Sequence, residues 1–273
     1  MTADTNSRPN PIQVVATREL FTVARARGYL ALFAGFLAVV VGLGITGGEP
    51  RYLPTIADLL LPIELLVPTV ALAVGYRPIA SDTQRGELAV LDTYPLTSSQ
   101  YVLGIFLGRA IALVAMLTVP LVLVGGYLTV TTTETPSLLA TQQGIDSPII
   151  FARFLVLTIL FGLTILSLSL ALSALARSRR TALILAGAAL IFVVVVLDLL
   201  VLRGFTSGQL GTDGLLTALA LSPTSAYRGL VFETVLGTPG LSAAQAAPLL
   251  SAAGLLFWLL GSLAVTVAAL AWE

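Results

Sequence analysis

Lysine, histidine and cysteine are all missing from this chain of 273 residues, and methionine occurs only twice. Each absence removes a class of chemistry. A phosphate-cradling loop of the G-x-x-x-x-G-K-[ST] type needs its lysine to reach the phosphates, so ATP is not held in that way here. Intramembrane proteolysis of the usual types needs a histidine base or histidine ligands. Met116, alone beyond the initiator, makes no soft-metal relay. The lack of cysteine excludes disulfides and says nothing further about redox compartment. Charge is scarce as well: 10% of residues are Asp, Glu, Lys or Arg and 57% are hydrophobic, against about 25% charged in a soluble domain. Water cannot be the main solvent.

What is present is long apolar sequence. Crossing about 30 Å of hydrocarbon takes on the order of 20 helical residues. Six stretches qualify: Gly28–Thr46, Leu59–Tyr76, Val102–Val130, Phe154–Ala176, Thr181–Leu202 and Leu249–Trp272. Barrel strands alternate in segments of about 10 residues, whereas these runs are continuous. The expected class is all-α, a polytopic membrane protein with six transmembrane helices and an N-terminal interfacial helix. The first run follows a long polar stretch and is too long for a signal-peptide core, so it reads as a retained span.

Arginine alone sets the orientation, because flanking positive charge is retained on the cytoplasmic side. Arg8, Arg18, Arg25, Arg27, Arg77, Arg85, Arg177, Arg179 and Arg180 fall on one side of a six-span layout, with Arg109 one turn inside the same boundary. Arg51, Arg153, Arg203 and Arg228 fall on the other. The bias puts both termini in the cytoplasm of a multi-pass plasma-membrane protein.

Residues 1–11 are polar, carry Pro9 and Pro11, and read as a disordered tail. From Ile12 to Arg27, Ile12, Ala16, Leu20 and Val23 gather on one side of a helical wheel, with Arg18, Thr22 and Arg25 roughly opposite. That pattern predicts an interfacial helix on the inner leaflet, although Glu19 falls near the apolar arc. Between the second and third spans, Arg77–Ser99 predicts a short helix after Pro78 carrying Asp82, Arg85, Gly86, Glu87 and Asp92, with an exit forced at Pro95. The next helix opens with Thr97-Ser98-Ser99-Gln100, a capping-box pattern. This hairpin is longer than a usual helix link, which fits partner docking as well as plain connection. The outer segment Arg203–Pro248 contains the apolar pieces Leu215–Leu221 and Leu230–Leu236, too short to span. They read either as half-inserted helices or as an amphipathic cap.

Ionisable groups inside spans cost roughly 2.5–3.5 kcal/mol at the helix centre. Glu64, between Pro62 and Pro68, is therefore assigned to the substrate path one to two turns into the second span. Asp198 is expected to pair with Arg203 or anchor at the interface. Gly104-x-x-x-Gly108 permits close helix approach, within one subunit or between two. Arg177-Ser178-Arg179-Arg180 reads as a tight turn that sets topology and meets anionic lipid.

Four blocks in this order resemble the membrane subunit of type-2 ABC exporters over most of the chain. They are Thr17-Arg18-Glu19-Leu20 with Arg25-Ala26-Arg27; Gly75–Ile79 through Arg85–Leu88 and Tyr94–Ser98 to Gly104–Arg109; Leu172–Ser178 running on to Leu197-Asp198-Leu199; and Leu221–Arg228. The third and fourth are most similar to the permease branch that serves nitrous oxide reductase maturation.

The resemblance implies that residues 12–273 form an ABC type-2 transmembrane domain. It implies pairing with a second copy and docking of separate ABC ATP-binding subunits, which carry ATP and Mg. Asp82, Arg85, Gly86, Glu87, Asp92 and Pro95 would meet the ATPase, Arg18 and Arg25 would anchor the interfacial helix, and Glu64 would border the path. No catalytic site, resident metal or nucleic-acid partner is expected in this chain. In the maturation branch, an extracytoplasmic maturation protein would be a further partner. Without His or Cys the spans should not conduct copper, leaving transmitted motion or a sulfur species as the output. The rival readings are a secondary transporter, which would bind a coupling ion on broken helices, and a membrane scaffold without transport.

Overall fold

The computed structural model describes residues 10–86, 96–131, 146–208, 212–236 and 248–271. Every regular element among them is helical. In chain order these are α1 (Pro11–Arg25), α2 (Arg27–Thr46), α3 (Tyr52–Gly75), α4 (Pro78–Gln84), α5 (Ser98–Thr131) and α6 (Pro148–Leu175). Then come α7 (Arg179–Ile191), a π-helical turn Phe192–Val196, α8 (Leu197–Thr206), α9 (Thr212–Leu221), α10 (Pro223–Val231), a second π-turn Phe232–Leu236, and α11 (Pro248–Ala271). Six helical runs among the described residues are long and apolar enough to cross a membrane: α2, α3 with α4, α5, α6, α7 through α8, and α11. The protein is an all-α polytopic membrane protein.

The ends of these helices follow local chemistry. Asn10 caps α1, its carboxamide accepting from Ile12 N at 3.1 Å. Ala26 is extended, so α1 turns into the spanning α2 through a single residue. Thr97 and Gln100 form the reciprocal capping box, with Thr97 N donating to Gln100 Oε1 at 3.1 Å and Gln100 N to Thr97 Oγ1 at 3.3 Å. Ser178 caps α7 through Thr181 N at 3.1 Å. Gly86 ends the α4 segment at φ +69°, a left-handed conformation that side chains disfavour.

α6 is the spine of the bundle. α3, α5, α10 and α11 all pack on it, and the fully buried Ile56, Leu59, Ile63, Leu113, Leu117, Phe154 and Phe161 fill the centre. By contrast α2, α7 through α8, and α11 bury little of their apolar windows. Leu183, Ile184, Ile191, Leu199 and Leu202 are each more than half exposed, the surface expected of helices that meet lipid or another chain.

Two helices extend past the apolar cores legible in sequence, with consequences. α3 begins at Tyr52 rather than near Leu59, so Glu64 lies 12 residues, about 18 Å, from that end and at mid-helix rather than near its start. α6 begins at Pro148, and the two ends meet: Asp146 accepts from Leu53 N at 2.8 Å and pairs with Arg51 at 3.3 Å.

Candidate functional site

Two polar clusters interrupt the apolar bundle. The first lies at the arginine-rich end, where α1 runs along α5. Gly104 and Gly108 make the seat: a Cβ on Gly104 would fall 2.6 Å from the Val15 side chain, and one on Gly108 would fall 2.3 Å from the Ala16 carbonyl oxygen. The glycine pair thus serves packing within the chain. It brings Glu19, buried to 4% exposure, against Arg109, whose Nε and Nη2 donate to Glu19 Oε2 at 2.9 and 2.8 Å. The same guanidinium reaches the Val74 carbonyl at the end of α3. Arg18 bridges outward from this pair, at 3.0 Å to Glu19 Oε1 and 2.8 Å to Asp82 Oδ2. Tyr101 also donates to Asp82 Oδ2 at 2.7 Å.

Partial burial pulls the Arg18 guanidinium down. The Asp82 hydrogen bond and the charges of Asp82 and Glu19 outweigh this and hold it above the ordinary arginine range. α4 is tied further by Ala80 N to Ser173 Oγ at 3.2 Å and by Arg179 Nε to Ser81 Oγ at 3.0 Å. Four helices, α1, α5, α6 and α7, therefore converge on a seven-residue segment.

This cluster re-sorts the residues singled out in the sequence. Asp82 faces inward, bound by Arg18 and Tyr101, while Arg85 and Gly86 are exposed at the end of the segment. Arg25 is exposed, its guanidinium 5.2 Å above the Phe21 ring. Glu87, Asp92 and Pro95 lie outside the described residues. The inward stripe of α1 is Val15, Glu19 and Val23, one step around from the apolar arc read on the wheel. Glu19 belongs to it because Arg109 waits opposite. An acid in an apolar arc and an arginine one turn inside a span were two costly charges seeking each other, a signal the wheel did not use.

The second cluster lies deep in the opposite half. α9 and α10 form a hairpin that enters the bundle and returns. The Ala220 carbonyl oxygen sits where a Cβ on Gly254 would be, at 2.0 Å, and Leu221 O accepts from Trp258 Nε1 at 2.8 Å. Tyr227 stacks on Phe161 with centroids 4.7 Å apart and shares a 2.9 Å hydrogen bond with Thr158. Thr158 is 10 residues, about 15 Å, from the end of α6. The short apolar pieces after Arg203 therefore pack into the bundle, well inside that end of α6. Arg228 grips Glu64 with both arms, Nε to Oε1 at 2.8 Å and Nη2 to Oε2 at 2.6 Å. Its Nη1 lies 3.5 Å from Asp198 Oδ2.

Asp198 Oδ1 accepts from Ser222 at 2.9 Å and Ser225 at 2.7 Å. Thr224 Oγ1 donates to the Val193 carbonyl within the π-turn at 3.1 Å. The expected Asp198–Arg203 pair does not form: Arg203 is exposed, and Arg228 takes its place because the hairpin brings it inward. Glu64 is buried to 3% exposure and ion-paired.

The comparisons with known proteins agree with this architecture. The model of the ABC-2 family transporter protein matches residues 3–272. Similar curated relatives are a probable ABC transporter permease protein NosY of Pseudomonas aeruginosa, 31% identical over 232 residues covering 80% of each chain, and one of Stutzerimonas stutzeri, 29% identical over 231 residues with the same coverage. Six apolar spans and a family match over nearly the whole length converge on one assignment: the chain belongs to the ABC-2 transporter family as a multi-pass membrane permease subunit.

Proposed function

We propose that this permease couples ATP hydrolysis on a separate ATP-binding subunit to movement of its deep outer hairpin, with both termini cytoplasmic. The observation that carries the reading is the ionic cluster at the arginine-rich end, which joins α4 to α1, α3 and α5. A push on the exposed Arg85–Gly86 tip, together with Glu87, Asp92 and Pro95 beyond it, would meet a segment already locked to the bundle. Asp82 then acts as a positioning residue behind the docking surface rather than as part of it.

α3 supplies the link to the far side. Its inner end is held by Arg109, and its middle holds Arg228 through Glu64, 10 residues or about 15 Å away. Pro68 withdraws the amide that would otherwise bond the Glu64 carbonyl, so the rod can bend beside that lock. ATP binding biases the bundle between a state with Arg228 locked on Glu64 and Asp198 and a state with it released, a population shift driven by the partner's differential affinity.

A second copy would cover the exposed α7–α8 face, because Arg228 and Asp198, with side chains 38% and 24% exposed, are costly against hydrocarbon at that depth. The resemblance to the nitrous oxide reductase maturation branch supports an output to an extracytoplasmic maturation protein, or export of a sulfur species. Purifying the tagged protein in mild detergent should recover an ATP-hydrolysing subunit. Recovery of none, with the isolated chain moving a solute down an ion gradient, would establish a secondary transporter instead.

A further inference from the structure

We infer that the junction of α1 and α2 is a binding site for anionic phospholipid, held by Arg25 and Arg27 with Phe21 as its apolar floor; this rests on the reading that α1 lies on the inner leaflet. α1 has two working faces. Val15, Glu19 and Val23 are spent on α5, and the other face leaves Val14 at 53% and Phe21 at 51% exposure. Such side chains on a free surface would meet water. With α1 on the leaflet and joined to the spanning α2 by one residue, they face lipid instead. The exposed stripe continues into α2 with Leu30 at 50%, so one lipid-facing surface runs across the junction.

Charge selects which lipid. Arg25 lies over Phe21 at 5.2 Å, a cation on an aromatic floor at the level where headgroups begin. Arg27 is exposed beside it. Neither arginine pairs with a carboxylate among the described residues, whereas the acids nearby, Glu19 and Asp82, are consumed by Arg109 and Arg18. Two cations with no counter-charge among the described residues complement a lipid phosphate that carries net negative charge. Because α1 also carries Glu19 and Arg18 of the ionic cluster, a headgroup held there fixes the helix that braces α4.

Native mass spectrometry of the purified full chain in mixed phosphatidylglycerol and phosphatidylcholine micelles tests this. Wild type should retain phosphatidylglycerol over phosphatidylcholine by roughly thirtyfold, about fivefold per arginine. Arg25→Gln with Arg27→Gln should abolish the preference, and Arg25→Lys with Arg27→Lys should keep it. Equal retention of both lipids by wild type overturns the inference, as does an undiminished preference in the glutamine pair. Loss of preference in Arg177→Gln with Arg180→Gln would move the site to the other arginine turn, and also decides the matter if the glutamine pair at the junction fails to fold. Displacement of bound lipid by inorganic phosphate at matched concentration would mark a free-anion site instead and overturn the lipid assignment. An environment-sensitive label on Phe21→Cys separates the two readings. Apolar contact in vesicles of either lipid without anionic preference removes only this inference, whereas no apolar contact removes the interfacial placement beneath it.

Discussion

Glu19 and Arg109 are each nearly inaccessible, and desolvating an ion costs several kcal/mol, offset only while its partner stays in place. Glu19→Leu or Arg109→Met alone should therefore lower stability by about 3 kcal/mol or more. Glu19→Leu with Arg109→Met should recover much of that loss, since an apolar pair leaves no stranded charge. Denaturant or thermal unfolding in detergent reads both; a double variant as unstable as the sum of the singles would show that the two do not interact. The outer pair behaves differently because Arg228 is part-exposed and has a second carboxylate nearby. Glu64→Gln and Arg228→Gln should couple by about 1 kcal/mol in a double-mutant cycle of stability, and additivity there would remove the lock. Such pairings escaped sequence reading in proportion to chain separation. Glu64 stands out in the sequence as an acid inside an apolar run, but its partner lies 164 residues away, in the stretch between the last two spans. No periodicity links the two.

Among the elements, the contact between α1 and α5 is the most sharply specified. At Gly108 an added methyl would fall 2.3 Å from the Ala16 carbonyl oxygen, and at Gly104 2.6 Å from the Val15 Cβ, an atom fixed by its own backbone. Gly108→Ala and Gly104→Ala should each destabilise by about 2 kcal/mol, with proteolysis after Arg25 accelerating in both. Unchanged stability in either variant would contradict the seat. The spans themselves were legible because hydrocarbon demands continuous apolar length, and the capping box at Thr97 was legible because its two side chains are three residues apart. The α9–α10 hairpin was only half legible. Its apolar pieces are too short to span, and their depth depends on Tyr227 finding Phe161 and on Ala220 finding Gly254, contacts between elements distant in sequence.

At the scale of the whole molecule, the two ionic clusters sit at different depths of one bundle and share α3 between them. The absence of cysteine makes the topology testable with single probes. Gly48→Cys, where a side chain meets only open space, should label with an impermeant reagent from outside, and Ser178→Cys only after the inner face is exposed. The reverse pattern would invert the molecule and detach the docking assignment. The central claim is that nucleotide on the partner subunit opens the outer lock through α4 and α3. Ser225, whose hydroxyl is held by Asp198 at 2.7 Å, reports it directly. In the complex with its ATP-binding subunit, Ser225→Cys should resist labelling from outside without nucleotide and react when ATP is added, and that response should disappear in Asp82→Asn. Labelling at the same rate with and without ATP would contradict the account.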